Sequence, residues 1–183
     1  MANNFTEMAF TDAVRKEQEK FGSRQAYERM ESRGEFRNKL TYQEELFIAG
    51  RDSFYMSSAG KDGWPYVQYR GGPSGFLKVL GENELGYADF KGNGQYISTG
   101  NLKENNKTVL FLMDYPNKQR LKIWARAKVY YADEKPEFLE KLTMPDYKAK
   151  IERIFTFKVE AFDWNCPKYI SQRYTEDEFR DLL

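Results

Sequence analysis

Leu121, Ile123, Ala125, Ala127, Val129 and Tyr131 alternate with Lys122, Trp124, Arg126, Lys128 and Tyr130. A period of two predicts a strand with one face in a core and the other amphipathic or wet. Phe155, Phe157, Val159 and Ala161 repeat the pattern in a final strand. Upstream, Ser53 to Ala59 and Trp64 to Arg70 flank Gly60-Lys61-Asp62-Gly63, a hairpin signal whose Asp-Gly pair tolerates positive φ. Phe76 to Leu80 and Leu85 to Phe90 flank a second turn, Gly81-Glu82-Asn83-Glu84. Thr108 to Tyr115 is a nearly unbroken apolar run, which predicts a strand buried on both faces, and Pro116-Asn117-Lys118 ends it.

Helical patterning lies between and around these runs. Thr11 to about Met30 is charged and helix-permissive, with Val14, Phe21 and Tyr27 too sparse for a deep core face; it reads as a surface helix or arm. Thr41 with Glu44 forms a capping box, Leu46 and Phe47 supply an apolar side, and Gly50 suits the stop. A short helix is expected around Glu137 to Leu142, and Thr175 with Glu178 caps a closing one with Phe179 and Leu182 as apolar contacts. The sum is a mainly β, α+β chain of six or seven antiparallel strands with peripheral helices, which fits a small closed or split β-barrel, since closure protects strand edges. One domain is expected over residues 1–183, with 1–40 as a helical N-terminal arm.

Composition narrows the chemistry. The chain has 183 residues, 16% of them aromatic, with no histidine and one cysteine. Disulfide frameworks, Cys/His metal sites and mechanisms needing an imidazole base are thereby removed. Lys and Arg total 29 against 28 Asp and Glu, so no global field would hold the chain on nucleic acid or an anionic membrane, and any anion site must be local. Met1-Ala2-Asn3-Asn4-Phe5 carries no basic segment followed by an apolar run, and no window approaches the roughly 20 apolar residues of a membrane span. A cytoplasmic address is the expectation.

Four stretches hold candidate chemistry. In Gln68-Tyr69-Arg70-Gly71-Gly72-Pro73-Ser74-Gly75, a forked cation precedes glycines whose N–H groups could cradle a phosphate; a glycine-rich bulge beside a surface ion pair explains the same residues. Asn93, Gln95, Ser98, Thr99 and Asn101 gather just before a helix-compatible stretch, Leu102 to Asn106, and suit a phosphate, a heterocycle edge or simply an N-cap. Arg120 opens the alternating strand. Trp164-Asn165-Cys166-Pro167, followed by Arg173, reads as a lid over a planar ligand or as a clamp on the last strand. Cys166 lacks an activating histidine and reads as a buried or incidental thiol, while Asp89, Asp114 and Asp163 read as turn or cap residues.

In their order along the chain, Gln68 to Phe76, Asp89-Phe90-Lys91-Gly92-Asn93, Gln95 to Ser98, Gly100-Asn101-Leu102, Met113-Asp114-Tyr115, Arg120 to Trp124 and Trp164 to Pro167 resemble the pyridoxamine 5'-phosphate oxidase-like, FMN-binding split-barrel proteins. The likeness is greatest to their flavin-nucleotide-binding subgroup of unassigned substrate, and it runs from about Leu46 to Arg173. It implies a homodimer with FMN between the subunits. It further implies that Gln68, Tyr69 and Arg70 line the isoalloxazine and ribityl chain, that Asn93, Gln95, Ser98, Thr99 and Asn101 hold the ribityl-phosphate region, that Arg120 stands near the flavin, and that Trp164 and Arg173 close the site from the other subunit. Gly94 stands where related sequences often carry arginine, and the histidine with which a pyridoxamine phosphate oxidase holds its substrate is missing.

The expected function is that of an FMN flavoprotein, an oxidoreductase exchanging hydride with a nicotinamide or small-molecule substrate. The alternative is a non-catalytic flavin carrier or redox sensor. The catalytic residue is left unassigned, and no metal, nucleic acid or membrane partner is expected.

Overall fold

The computed structural model describes residues 4–32 and 37–183. Its centre is one antiparallel sheet of seven strands: β1 (Ser53–Ala59), β2 (Pro65–Gly71), β3 (Lys78–Gly81), β4 (Glu84–Phe90), β5 (Lys107–Asp114), β6 (Gln119–Tyr131) and β7 (Ile151–Trp164). Their order in the sheet is β2-β1-β5-β6-β7-β4-β3.

The sheet curls until its ends meet. Although β1 and β4 are not sheet neighbours, the ring of Phe54 on β1 lies 5.5 Å from that of Tyr87 on β4. Arg70 of β2 likewise reaches Asp89 of β4 at 2.8 Å. Phe76, in the crossing between β2 and β3, stacks on Phe54 at 5.6 Å and fills the gap between the two edges. The result is the split barrel expected from the strand pattern. Leu110, Leu112, Leu121, Ile123, Phe155 and Phe157 are fully buried inside it, and each such side chain contributes about 1.5–3 kcal/mol by leaving water.

Strand periodicity held best where one face enters this core. On β6, Leu121, Ile123, Ala125 and Ala127 are buried, as the alternation predicted. The expectation of two buried faces for β5 is corrected: Thr108, Leu110, Leu112 and Asp114 are buried, whereas Val109, Phe111 and Met113 are only half-buried. Among the described residues nothing buries the apolar outer face of β5 fully. Strand β7 is also longer than Phe155 to Ala161, and a register shift opposite Trp124 and Ala125 lets it follow the bend of the barrel.

The helices are peripheral. The expected segment from Thr11 to Met30 is two helices, α2 (Asp12–Lys20) and α3 (Arg24–Ser32), because Gly22 turns left-handed between them at φ 74°. Ahead of them, α1 (Asn4–Ala9) sets Phe5 edge-on to Trp124 at 5.2 Å, so the N-terminal segment docks on its own barrel. The capping boxes at Thr41/Glu44 and Thr175/Glu178 are both present, opening α4 (Tyr42–Ala49) and α7 (Glu176–Arg180). Leu46, Phe179 and Leu182, expected as apolar contacts, are exposed; on α4 it is Phe47 and Ile48 that turn inward. Between the strands lie α5 (Ile97–Glu104), which starts earlier than expected, and α6 (Pro136–Leu142). Among the described residues no helix is long and apolar enough to cross a membrane.

Candidate functional site

Strand β2 decides the site by its alternation. Tyr66, Gln68 and Arg70 are half-buried on its inner side, while Pro65, Val67 and Tyr69 are exposed on the other. Gln68 and Arg70 pair opposite the core residues Met56 and Phe54, at the mouth of the split. There Arg70 Nη1 donates to Asp89 Oδ1 at 2.8 Å, and Arg153 donates to Asp89 Oδ2 through Nε at 2.8 Å, with Nη2 at 2.7 Å. One carboxylate, 2% exposed, thus holds two guanidinium groups. The second of them also meets Glu152 at 3.3 Å. Beneath them, Arg70 lies 5.4 Å over the Phe155 ring and 6.0 Å over that of Tyr87. Burial, and then the nearby Asp89 charge, push the Tyr87 phenol well above its usual range, so it stays neutral.

Above this cluster the loop at Gly92 to Gly94 and the first turn of α5 close a polar cleft of about 210 Å³. Gln68, Arg70, Asn93, Ser98, Thr99 and Arg153 line it. Ser98 Oγ donates to Gln68 Oε1 at 2.7 Å, which ties the helix start to β2. Gln95 N donates to Asn93 Oδ1 at 3.2 Å, and Gly94 makes the turn at φ 76° with open space on its side-chain side. Tyr96 caps α5 in the left-handed region at φ 54°, where its ring lies 4.6 Å beneath the Arg153 guanidinium. Forked cations, hydroxyls and a side-chain amide converging on a small cleft suit an oxygen-rich anion such as a phosphate monoester. The Nε of Arg70 is buried there without a protein partner.

Of the residues expected at the site, Gln68, Arg70, Asn93, Ser98 and Thr99 come together in this cleft, and Gln95 adjoins it through Asn93. Others stand elsewhere. Tyr69 faces the outer side of the sheet, 5.7 Å from Tyr55, where a second cavity of about 470 Å³ is bounded by Arg51, Tyr55, Tyr69, Tyr115 and Arg173. Arg173 lies 5.2 Å over the Tyr115 ring in that cavity, and Arg120 pairs opposite its wall residue Met113. Asn101 donates to Ser58 at 3.1 Å and fastens α5 to β1. Within the chain Trp164 is a clamp and not a lid over the cleft: its Nε1 donates to Glu44 Oε1 at 2.7 Å and its ring meets Phe47 edge-on at 4.7 Å.

The glycine-rich turn is no phosphate cradle, because its N–H groups are already used. Gly72 N donates to Asp52 O at 2.9 Å and Gly75 N to Arg51 O at 3.0 Å. A Cβ on Gly72 would sit 2.7 Å from the Phe76 ring, so the glycine serves the close approach of that plug. Cys166, expected to be buried or incidental, is an exposed free thiol. Asp89 and Arg153 were missed as site residues. Arg153 shares the parity of Phe155 and Phe157 and Asp89 that of Leu85 and Tyr87, so each is a charge in a core-facing register, and that was the available signal. Among the described residues no group of three or more His, Cys, Asp or Glu is arranged to hold a metal ion.

Comparison with known proteins finds no matching family model and no curated relative. Solved structures share the architecture. A candidate pyridoxamine 5'-phosphate oxidase from Lactobacillus delbrueckii superposes with a TM-score of 0.52 at 21% identity, covering 69% of this chain and 94% of that one. An FMN-binding protein from Syntrophomonas wolfei subsp. wolfei gives 0.51 at 16% identity, with 85% and 96% covered. HupZ of Group A Streptococcus gives 0.51 at 11% identity, with 74% and 100% covered. The chain therefore has the pyridoxamine 5'-phosphate oxidase-like split-barrel fold.

Proposed function

We propose that the protein is an FMN-binding flavoprotein and acts as an oxidoreductase on a nicotinamide or small-molecule partner. The observation that carries this reading is the pair of guanidinium groups, Arg70 and Arg153, held on the one buried carboxylate of Asp89 at the edge of a hydroxyl- and amide-lined cleft. The donor set fits a flavin's phosphate and ribityl chain. Ser98, Thr99 and Asn93 would meet the phosphate with Arg153, and Gln68 and the unpartnered Nε of Arg70 would meet the chain and ring edge. When bound, the flavin supplies the hydride and electron transfer that the side chains lack. The protein's part is to bind and orient: the ionisable groups lining the cleft are two arginines and a tyrosine, with no carboxylate or imidazole among them.

A homodimer belongs to the same reading. Tyr69 and Arg173 lie on the outer face of the sheet and not in the cleft, so they act on a flavin only by facing a second chain. The lack of a carboxylate or imidazole lining the cleft equally suits a flavin carrier, and one experiment separates the two. Purified protein is titrated with FMN under fluorescence detection, then mixed anaerobically with NADH or NADPH. Uptake followed by bleaching of the flavin band is the expected result. Uptake without bleaching by any donor makes the protein a carrier, and failure to take up FMN overturns the flavin reading.

A further inference from the structure

Beside the polar cleft, on the far side of α5, lies a much larger groove of about 1030 Å³. Small-molecule sites run from roughly 300 to 1,000 Å³, so the groove has room for a whole nucleoside phosphate, whereas the cleft of about 210 Å³ takes a phosphate and its adjoining chain. The two adjoin. Tyr96, Thr99 and Arg153 line both, and Thr99 and Arg153 are the residues placed against the phosphate above. A ligand held by its phosphate in the cleft therefore continues into the groove without leaving the protein surface.

The groove is furnished for such a continuation. Its walls present two half-exposed aromatic rings, Tyr96 at 49% and Tyr131 at 53%. Lys103 Nζ sits 5.3 Å over the Tyr131 ring and 3.4 Å from its hydroxyl. Lys150 also lines the groove and has no ion-pair partner among the described residues. Of the three acids there, Glu152 is engaged by Arg153 at 3.3 Å and Glu134 accepts from Tyr131 N at 2.8 Å. Asp133 is the third, and of the two ammonium groups beside these acids Lys103 is held on Tyr131 while Lys150 is in no ion pair among the described residues. The junction residue is the strained one, Tyr96 at φ 54°, whose left-handed backbone holds its ring on the boundary of the two spaces. Strain kept at a cavity wall points to a ligand-facing role.

We propose that this groove is a nucleoside-phosphate site, with the phosphate on Lys103 and Lys150 and the base against Tyr131. The inference rests on the flavin-phosphate reading of the adjoining cleft. The nucleotide is either the far half of a flavin dinucleotide or a separate adenine nucleotide beside FMN. Calorimetric titration of the full chain with FMN and with FAD, and of FMN-loaded protein with ADP, distinguishes the sources.

A stacked base and one more phosphate give FAD an expected margin of roughly tenfold or more over FMN. The double variant Lys103→Glu/Lys150→Glu should erase that margin and leave FMN affinity unchanged. ADP uptake by FMN-loaded protein without an FAD margin, again lost in the double variant, assigns the groove to a separate nucleotide. FMN binding with neither an FAD margin nor ADP uptake overturns the inference and leaves the flavin reading standing, as does a margin that survives the double variant. Failure to bind either flavin overturns the flavin reading, and this inference with it.

Discussion

Asp89 is the residue on which the site turns. It is 3% exposed at its side chain and bridges Arg70 and Arg153, themselves 13% and 10% exposed, so all three charges are out of water. Burying an ion pair gains little net stability, but removing one partner leaves the others uncompensated. Asp89→Asn is therefore expected to destabilise the fold by about 3–5 kcal/mol, read as a lower urea midpoint at unchanged slope. FMN affinity should fall with it, because the carboxylate fixes both guanidinium groups at the cleft. A variant of native stability would show that the two arginines find other partners. The near-neutral charge required any anion site to be local, and Arg70 was visible as one candidate for it. Asp89 and Arg153 were not, because they come together only through the pairing of β4 with β7, which places them opposite one another. Tyr69 lies on the other face of β2 from its neighbours Gln68 and Arg70, as strand alternation requires, so within one chain it stands outside their cleft.

At the level of elements, the capping box of α4 does more than start a helix. The Glu44 carboxylate accepts from Thr41 N at 2.9 Å, from Thr41 Oγ1 at 2.5 Å and from the Trp164 indole at 2.7 Å, so the cap also anchors the end of β7. Burial works to raise the Glu44 carboxyl pKa, but the hydrogen bonds from Thr41 and Trp164 outweigh it and hold the group below its usual range. An unfolded glutamate titrates near about 4.3, and the folded value lies lower. The stabilisation is thus complete above the unfolded value and is lost as pH falls through the folded one. Glu44→Gln should cost about 1.5–3 kcal/mol at neutral pH, the range for hydrogen bonds to a charged group. The gap to wild type should narrow once the pH drops below roughly 4. Tryptophan-monitored unfolding at neutral and acidic pH measures both, and a pH-independent gap would count against the ionised carboxylate as the source. The cap was legible from Thr41 and Glu44 alone. The tie to Trp164 was not, since it links residues 120 apart.

For the whole molecule, the mismatch on β5 carries the most information. Its unbroken apolar run predicted two buried faces, and the chain covers one. The uncovered side continues across the sheet: Tyr69 pairs with Tyr55, Tyr55 with Phe111 and Phe111 with Lys122, while Val67 lies opposite Ser57. Tyr55, Val67, Val109, Phe111 and Tyr115 line a shallow, mostly apolar hollow there. Val67 is 60% exposed, and Trp64, just before the same strand, 82%. Strand and barrel were legible because core burial writes itself into period two, whereas a partner's surface writes itself in the same letters and is told apart only once the fold is built. A contiguous apolar patch of this kind marks an association surface, and a two-fold contact sets the same patch against itself. Light scattering at micromolar concentration should therefore give twice the mass of one chain. In a two-fold contact through this patch Val67→Asp would place a carboxylate in the apolar surface of each chain, so the variant should run as a monomer with unchanged circular dichroism. On the proposed homodimer, FMN affinity should drop in that variant although Val67 does not line the cleft, since Tyr69 and Arg173 would act on the flavin only across the contact. A wild-type monomer that binds FMN fully would separate the flavin site from the dimer and leave the apolar face to a different partner.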